Sequence, residues 1–383
     1  MASRLGAARA GAFLTALVIV VGACSPAASS SPTASVPTPT AAASVPGASA
    51  SAAPSVNAGV VGLIKDLPPL TAPLTIKGRT GSSLTTAPFW YAIEKGYFAQ
   101  FNITFEKVTI AGSGDVVAPL AANQLDLAGT SFGSGLYNAI SRDLKIVAVA
   151  DNGKLDKGLA GSAAVVKAGT GSSYGADWCA LKGKKVAIAG RTTGLWVTLQ
   201  KALASCSLTV KDITVVELGF ADTNPAIQNG AVDVAFQVEP FVSTGVAAGL
   251  LDMWRPLDEA RAGQQMNVIL LSPQFAQNHD AAVRFLVAYI AATRVYLEDA
   301  KGTDRAQLGT ILAKYLSVTD PAAYKNMIMM GIDGNGAIGQ ESVTESLSLW
   351  QSEGAIPPGT LTFDWINDDL RTEALTYLPP YTP

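Results

Sequence analysis

Residues 184 to 196, KKVAIAGRTTGLW, gather the residue types that hold small polar ligands through the main chain. The apolar run from Lys184 to Ala189 reads as a strand, Gly190 breaks it, and Arg191, Thr192, Thr193 and Gly194 lead into a helical pattern. A helix starting at such a turn leaves its first N–H groups without intrahelical partners and presents the positive end of its dipole. An anion or a polar oxygen is favoured there. Thr192 and Thr193 supply cap or ligand hydroxyls. Arg191 reads either as a solvated loop arginine or as a two-bonded grip on a carboxylate or sulfonate. Leu195 stands where a nucleotide-binding P-loop carries lysine, which argues against a triphosphate.

Other turns carry the same chemistry. Arg79 to Thr86, RTGSSLTT, follows a strand and offers Arg79, Thr80, Ser82 and Ser83, with Thr86 as a helix cap ahead of Pro88. Gly112 and Ser113 precede a further helix, and Thr130, Ser131 and Phe132 follow a further strand. Each is a turn or cap residue first and a ligand contact second. Phe89, Trp90 and Tyr91 are consecutive at a helix start and cannot share one face. Trp90, and Trp196 in the first turn of the corresponding helix, are candidates either for stacking on a planar or apolar ligand or for core packing.

These turns need a scaffold, and the pattern supplies one twice. Strand 74–78, helix 87–95, strand 103–110, helix 116–123 and strand 126–130 are followed, in the same order, by strand 184–189, helix 194–204, strand 213–218, helix 223–229 and strand 232–238. Even NQLDLAGTS at 123–131 parallels NGAVDVAFQ at 229–237. Such alternation predicts an α/β architecture of two lobes with mostly parallel, covered sheets, and ligands of such sheets sit outside the carboxyl ends of the strands. SAAVVKAG at 162–169 and MNVILLSP at 266–273 read as two crossings between the lobes, forming a hinge. Residues 280–297 show helical spacing in two stripes, Val283, Leu286, Val287 and Ile290, then Phe285, Tyr289 and Tyr296, so that helix is expected to be buried on more than one side.

Bulk properties exclude several functions. The chain has 383 residues, 49% hydrophobic, enough for a large core and about two domains. Lys+Arg 27 against Asp+Glu 30 gives −3, with no electrostatic footprint for nucleic acid. The one histidine, His279, reads as a loop residue, which argues against a His-rich zinc site or a Ser-His-Asp triad. No metal, cofactor or catalytic set is therefore expected. Cys179, just before the 184–189 strand, and Cys206, just after the helix that follows it, are brought together by strand out and helix back. A disulfide there would contribute roughly 3–4 kcal/mol; two buried thiols are the alternative.

The N-terminus indicates export. Arg4 and Arg9 precede an apolar run from Ala10 to Val21, too short to span a bilayer, and Val21-Gly22-Ala23-Cys24 resembles the lipobox of bacterial lipoproteins. That resemblance implies a signal peptide over 1–23 and lipid on Cys24; an ordinary secretory signal is the other reading. From Ser25 to about Val60 the chain is almost entirely Ser, Ala, Pro, Thr and Val, with no charge between Arg9 and Lys65. Residues 24–70 are expected to be a disordered tether.

APFWYAIEKGYFAQFNITFEKV, LKIVAVAD, LKGKKVAIAG, NPAIQNGAVDVAFQVEPF and DWINDDLRTEAL, in this order, resemble the extracytoplasmic substrate-binding proteins of ABC importers in the nitrate, sulfonate, taurine and thiamine-pyrimidine (NMT1-like) group. The resemblance runs from about 73 to 380. It implies a periplasmic binding protein type II fold, with lobe I at 71–164, lobe II at 165–267 and the rest of lobe I at 268–383, and a ligand cleft between lobes. It places ligand contacts near Gln237 and Glu239, where the last strand of the second lobe ends. With Gly190 to Thr193 across from Arg79 to Thr86, the expected function is non-catalytic binding of a small polar or anionic organic solute, such as a sulfonate, nitrate, an aromatic acid or a pyrimidine. The implied partners are an ABC permease and its ATPase, with the body held as a monomer at the cell membrane by the lipid on Cys24. A pyrimidine-forming enzyme of related fold and a receptor feeding a signalling partner are the rival readings.

Overall fold

Extended runs alternate with helices along the chain, and the computed structural model, which describes residues 64–382 apart from 111–113, 143 and 360, folds that alternation into two five-stranded sheets. The first lobe's sheet holds β1 (Leu74–Arg79), β2 (Ile103–Val108), β3 (Leu127–Ser131) and β4 (Val147–Leu155). The second lobe's sheet holds β5 (Ser162–Lys167), β6 (Lys185–Ile188), β7 (Thr214–Glu217), β8 (Val234–Val238) and β9 (Leu251–Pro256), after which β10 (Gln264–Leu271) returns to the first. Strand orders are β2-β1-β3-β10-β4 and β7-β6-β8-β5-β9, so the two sheets correspond strand for strand. Pairing is parallel around β1 and around β6. It is antiparallel only where β10 lies between β3 and β4 and where β5 lies between β8 and β9. The single reversed strand of each sheet is the one by which the chain arrives from the other lobe.

The crossings sit one step away from where apolar patterning puts them. Residues 162–167 and 264–271 are buried strands, and the chain passes between sheets at 156–161 and 257–263. A run such as SAAVVK, small and β-branched, declares an extended conformation without declaring its neighbours, and in a sheet covered on both faces it is continuous rather than alternating.

Packing ties the two lobes together on one side. Helix His279–Lys301 is buried nearly all round, as its two apolar stripes require, and forms the centre of the first lobe's core with Phe89, Phe285, Tyr289 and Tyr296. A second apolar cluster runs without a break from Phe132, Trp350 and Trp365 of the first lobe to Trp178, Trp196 and Phe236 of the second. Helix Gly194–Ala204 of the second lobe meets the end of helix Gln340–Ser352 of the first: the Trp196 indole N–H donates to Glu353 Oε2 at 2.8 Å, and Gln200 donates to Glu353 Oε1 at 2.7 Å. Cys179 and Cys206 are disulfide-bonded, with Cα atoms 5.2 Å apart, joining the turn Trp178–Leu181 to the end of helix Gly194–Ala204.

Cys24, the stretch expected to be a signal peptide and most of the stretch expected to be a tether lie outside the described residues. The last stretch assigned to the tether, 64–70, is not free: Ile64 is buried in the first lobe's core, Lys65 N–H donates to Tyr377 O and Leu70 N–H to Phe101 O. Ile64, Leu67 and Leu70 provide the apolar side chains that the Ser/Ala/Pro tract lacks. Among the described residues, no helix is long and apolar enough to cross a membrane.

Candidate functional site

The carboxyl ends of β1 and β3 on one lobe and of β6 and β8 on the other open onto one cleft of ≈ 410 Å³. This is where strand-end loops of α/β sheets converge on a ligand. Arg79, the last residue of β1, projects into it from the first lobe beside Ser82, Ser83 and Ser131. The opposite wall is made by Thr193 and Leu195 at the start of helix Gly194–Ala204, by Phe220, and by Val238 to Phe241 after β8. Met266 and Asn267 of β10 and the C-terminal residues Ser317 and Met330 also line it.

Arg79 dominates the electrostatics. It is only 8% exposed, one Nη donates to Gly129 O at 2.9 Å, and Nε is buried with no partner. No carboxylate lies within ion-pair distance among the described residues, and the influence of exposed Asp115 is outweighed by burial, which pulls the guanidinium below its usual range. Thr80 next to it is 4% exposed and its hydroxyl is also unpartnered, but it is not among the residues that line the cleft. A buried cation with unused donors is costly unless a negative group meets it. Arg79 therefore sets a buried positive charge at this end of the cleft.

Glu239, 1% exposed, is the acidic counterpart on the second lobe. It accepts from Ser243 N–H, the Ser243 hydroxyl and Ile328 N–H at 2.7–3.0 Å. Burial raises its pKa against the pull of those three donors. Ile328 belongs to the segment 327–331 that runs beside the first crossing, where Gly161 N–H donates to Met329 O. Glu239 therefore holds the second lobe to this segment as well as facing the cleft.

A polar cluster stabilises the crossings behind the cleft. Asp151 of β4, fully buried, accepts from Gly153 N–H and the Gln265 amide through Oδ1 and from Asp333 N–H through Oδ2, each at 2.7 Å. The same Gln265 amide donates to Asn267 O, linking the cluster to a cleft residue. Burial pushes the Asp151 carboxyl up to about 6 despite these donors and nearby Lys154.

Of the residues singled out in the sequence, Arg79, Ser82, Ser83, Ser131, Thr193 and Glu239 meet at the cleft. Gly112 and Ser113 lie outside the described residues. The others are displaced for identifiable reasons. Thr86 sits at the helix start, but its hydroxyl donates to Ser83 O and accepts from the Trp90 indole, so both serve the loop. Trp90 is 1% exposed, stacked on Tyr315 at 4.4 Å with Lys107 over its other face. Thr130 is buried within β3, and Phe132 packs on Trp365 and Trp350 in the core. Gln237 is fully buried behind the wall, donating to Phe220 O and Asn224 Oδ1.

The turn at 190–194 is largely occupied by the protein itself. Arg191 points outward, 47% exposed on its side chain, pairs with Glu217 at 2.9 Å and lies over the buried Trp196 ring. Gly190 borders Glu217 and Thr193 rather than the cleft. Thr192 O accepts from Ser134 N–H of the first lobe, and Thr193 forms an isolated bridge with Gly133. Main chain approaches main chain so closely here that a Cβ on Gly133 would lie 2.4 Å from Thr192 O. Gly133 is in extended backbone, so space and not conformation requires glycine.

Phe220, Phe241, Asn267, Ser317 and Met330 escaped sequence reasoning. Phe220 and Phe241 follow β7 and β8, and that strand-end position is the signal that could have found them. Ser317 and Met330 reach the cleft only through the path of the C-terminal segment.

Among proteins of curated function, none matches the sequence. Solved structures share its fold at low identity. The ligand-binding component of an ABC-type import system from Staphylococcus aureus, with zinc bound, gives a TM-score of 0.62 at 17% identity over 78% of this chain and 98% of that one. The nitrate-binding protein NrtA from Synechocystis PCC 6803 gives 0.61 at 16% identity, over 79% and 89%. The alkanesulfonate-binding protein SsuA from Xanthomonas axonopodis pv. citri, bound to MOPS, gives 0.58 at 16% identity, over 78% and 100%. The chain thus has the two-lobed α/β architecture of periplasmic binding proteins of type II. The NMT1/THI5-like family profile matches residues 84–301, more than half of the 383 residues. With the strand-for-strand repeat and the cleft between the lobes, that match establishes that the chain belongs to the NMT1/THI5-like family.

Proposed function

We propose that the protein is a non-catalytic, extracytoplasmic solute receptor of an ABC importer, which binds a small organic anion between its lobes and delivers it to a membrane permease. The buried Arg79 guanidinium at the cleft, without a carboxylate partner among the described residues, carries this reading. The start of helix Gly194–Ala204 on the facing wall adds favourable dipole for the same charge. Structural relatives described as binding components for import, nitrate and alkanesulfonate point the same way. His279, the one histidine, pairs with Glu373 and is not among the cleft residues, which supports binding over catalysis. The lipobox-like Val21 to Cys24 supports an envelope location with lipid on Cys24. Mass spectrometry of the mature N-terminus tests that anchor, and an unmodified N-terminus elsewhere removes it.

Thermal-shift and calorimetric titration of the full chain test the binding function. Nitrate, sulfate, alkane- and arenesulfonates, carboxylates and neutral pyrimidines form the panel. At least one anion is expected to raise the melting temperature, by about 2.7 kcal/mol of stabilisation at a hundredfold excess over Kd. The Arg79→Gln variant is expected to lose the effect. Binding of neutral compounds alone, or anion binding indifferent to Arg79, would overturn the proposal.

A further inference from the structure

The cleft has an apolar wall that an inorganic anion would not use. Phe220 and Phe241 are the first residues of helices Phe220–Gln228 and Phe241–Ala247, which follow β7 and β8. Both rings line the cleft from the second lobe, and both are only partly buried. Their centroids lie 6.5 Å apart with planes 28° from parallel, so the rings contact each other and offer a joint surface. Buried polar groups fix their backbone: Gln237 donates to Phe220 O at 2.9 Å, and Asn224 donates to Phe241 O at 3.0 Å. Gln237 also donates to Asn224 at 2.9 Å, so one side-chain pair sets both rings.

Size agrees with this reading. A water molecule's share of liquid volume is about 30 Å³, so a cleft of ≈ 410 Å³ accepts far more than a four- or five-atom oxyanion. Resting on the anion-binding proposal above, we infer that the solute is an aromatic acid, a carboxylate or sulfonate, whose charged end meets Arg79 and whose ring lies against Phe220 and Phe241. The two phenylalanines are specificity-determining residues, and Gln237 and Asn224 position them.

Calorimetry on the full chain with benzoate, benzenesulfonate, methanesulfonate and nitrate tests this. An arene acid is expected to bind at least about tenfold tighter than methanesulfonate or nitrate. Phe220→Ala and Phe241→Ala are each expected to weaken arene binding about tenfold while leaving methanesulfonate within about twofold. Gln237→Ala is expected to lower the arene-to-methanesulfonate ratio, which a general loss of folding would not change. Phe220→Leu and Phe241→Leu guard against misfolding, because they keep apolar volume but remove the ring, and they too must lower that ratio. Equal affinities across the anions, or variants that weaken every anion alike, overturn the aromatic-acid inference and leave the anion receptor standing. Failure of every anion to bind removes the anion receptor itself.

Discussion

Arg79 ends strand β1 without a carboxylate partner among the described residues, so on the anion-binding proposal its substitution is expected to act on ligand affinity more than on the fold. Arg79→Lys keeps a charge but removes the fork that matches a carboxylate or sulfonate at two points. Titration should show affinity reduced by about 10- to 100-fold, the equivalent of one charge-assisted hydrogen bond, with little change in unliganded melting. Asp151 acts on the scaffold instead. Its carboxyl titrates near 6 in the folded protein, above its ordinary value of 3.8. Its contribution to stability is therefore complete below that ordinary value and is lost as pH rises through 6. Urea unfolding from pH 4 to 7 should show the native protein losing on the order of 3 kcal/mol that Asp151→Asn does not lose; Glu239, shifted in the same direction, contributes equally to both curves. Parallel curves would sink the assignment. Residues at strand ends were readable because a strand's carboxyl end predicts its surroundings. Trp90 and Trp196 were not, because an aromatic residue at a helix start can turn inward as readily as outward.

Strand and helix order was legible because hydrophobic period reports local conformation directly. Partner choice was not, and SAAVVK became an inner strand instead of a crossing for that reason. The Cys179–Cys206 link joins residues 27 positions apart and closes a loop around β6 and helix Gly194–Ala204. Its removal by Cys206→Ser is expected to cost about 3 kcal/mol, chiefly by freeing the unfolded chain. Calorimetry should show melting several degrees lower, and titration of the unreduced native protein should find neither thiol.

Two lobes joined by paired crossings move as bodies whose relative freedom depends on what else binds them. Here one side is closed by the continuous apolar cluster and by Glu353 holding Trp196 and Gln200, while the other side is the cleft. Separation of the lobes must therefore be greatest on the cleft side. A ligand shifts the balance only as far as it binds the approached form better than the separated one. This arrangement was only partly legible, since Glu353 and Met330 come from a C-terminal segment whose route is set by tertiary packing.

The contact of Gly133 with Thr192 O makes that balance adjustable by a single methyl group. An added side chain there works as a doorstop, wedging the lobes ajar without touching any group that would face the solute. Gly133→Ala is expected to enlarge the radius of gyration in X-ray scattering with saturating ligand and to speed ligand release, while each lobe keeps its circular dichroism. Such a jammed variant would separate the consequences of lobe approach from those of occupying the cleft.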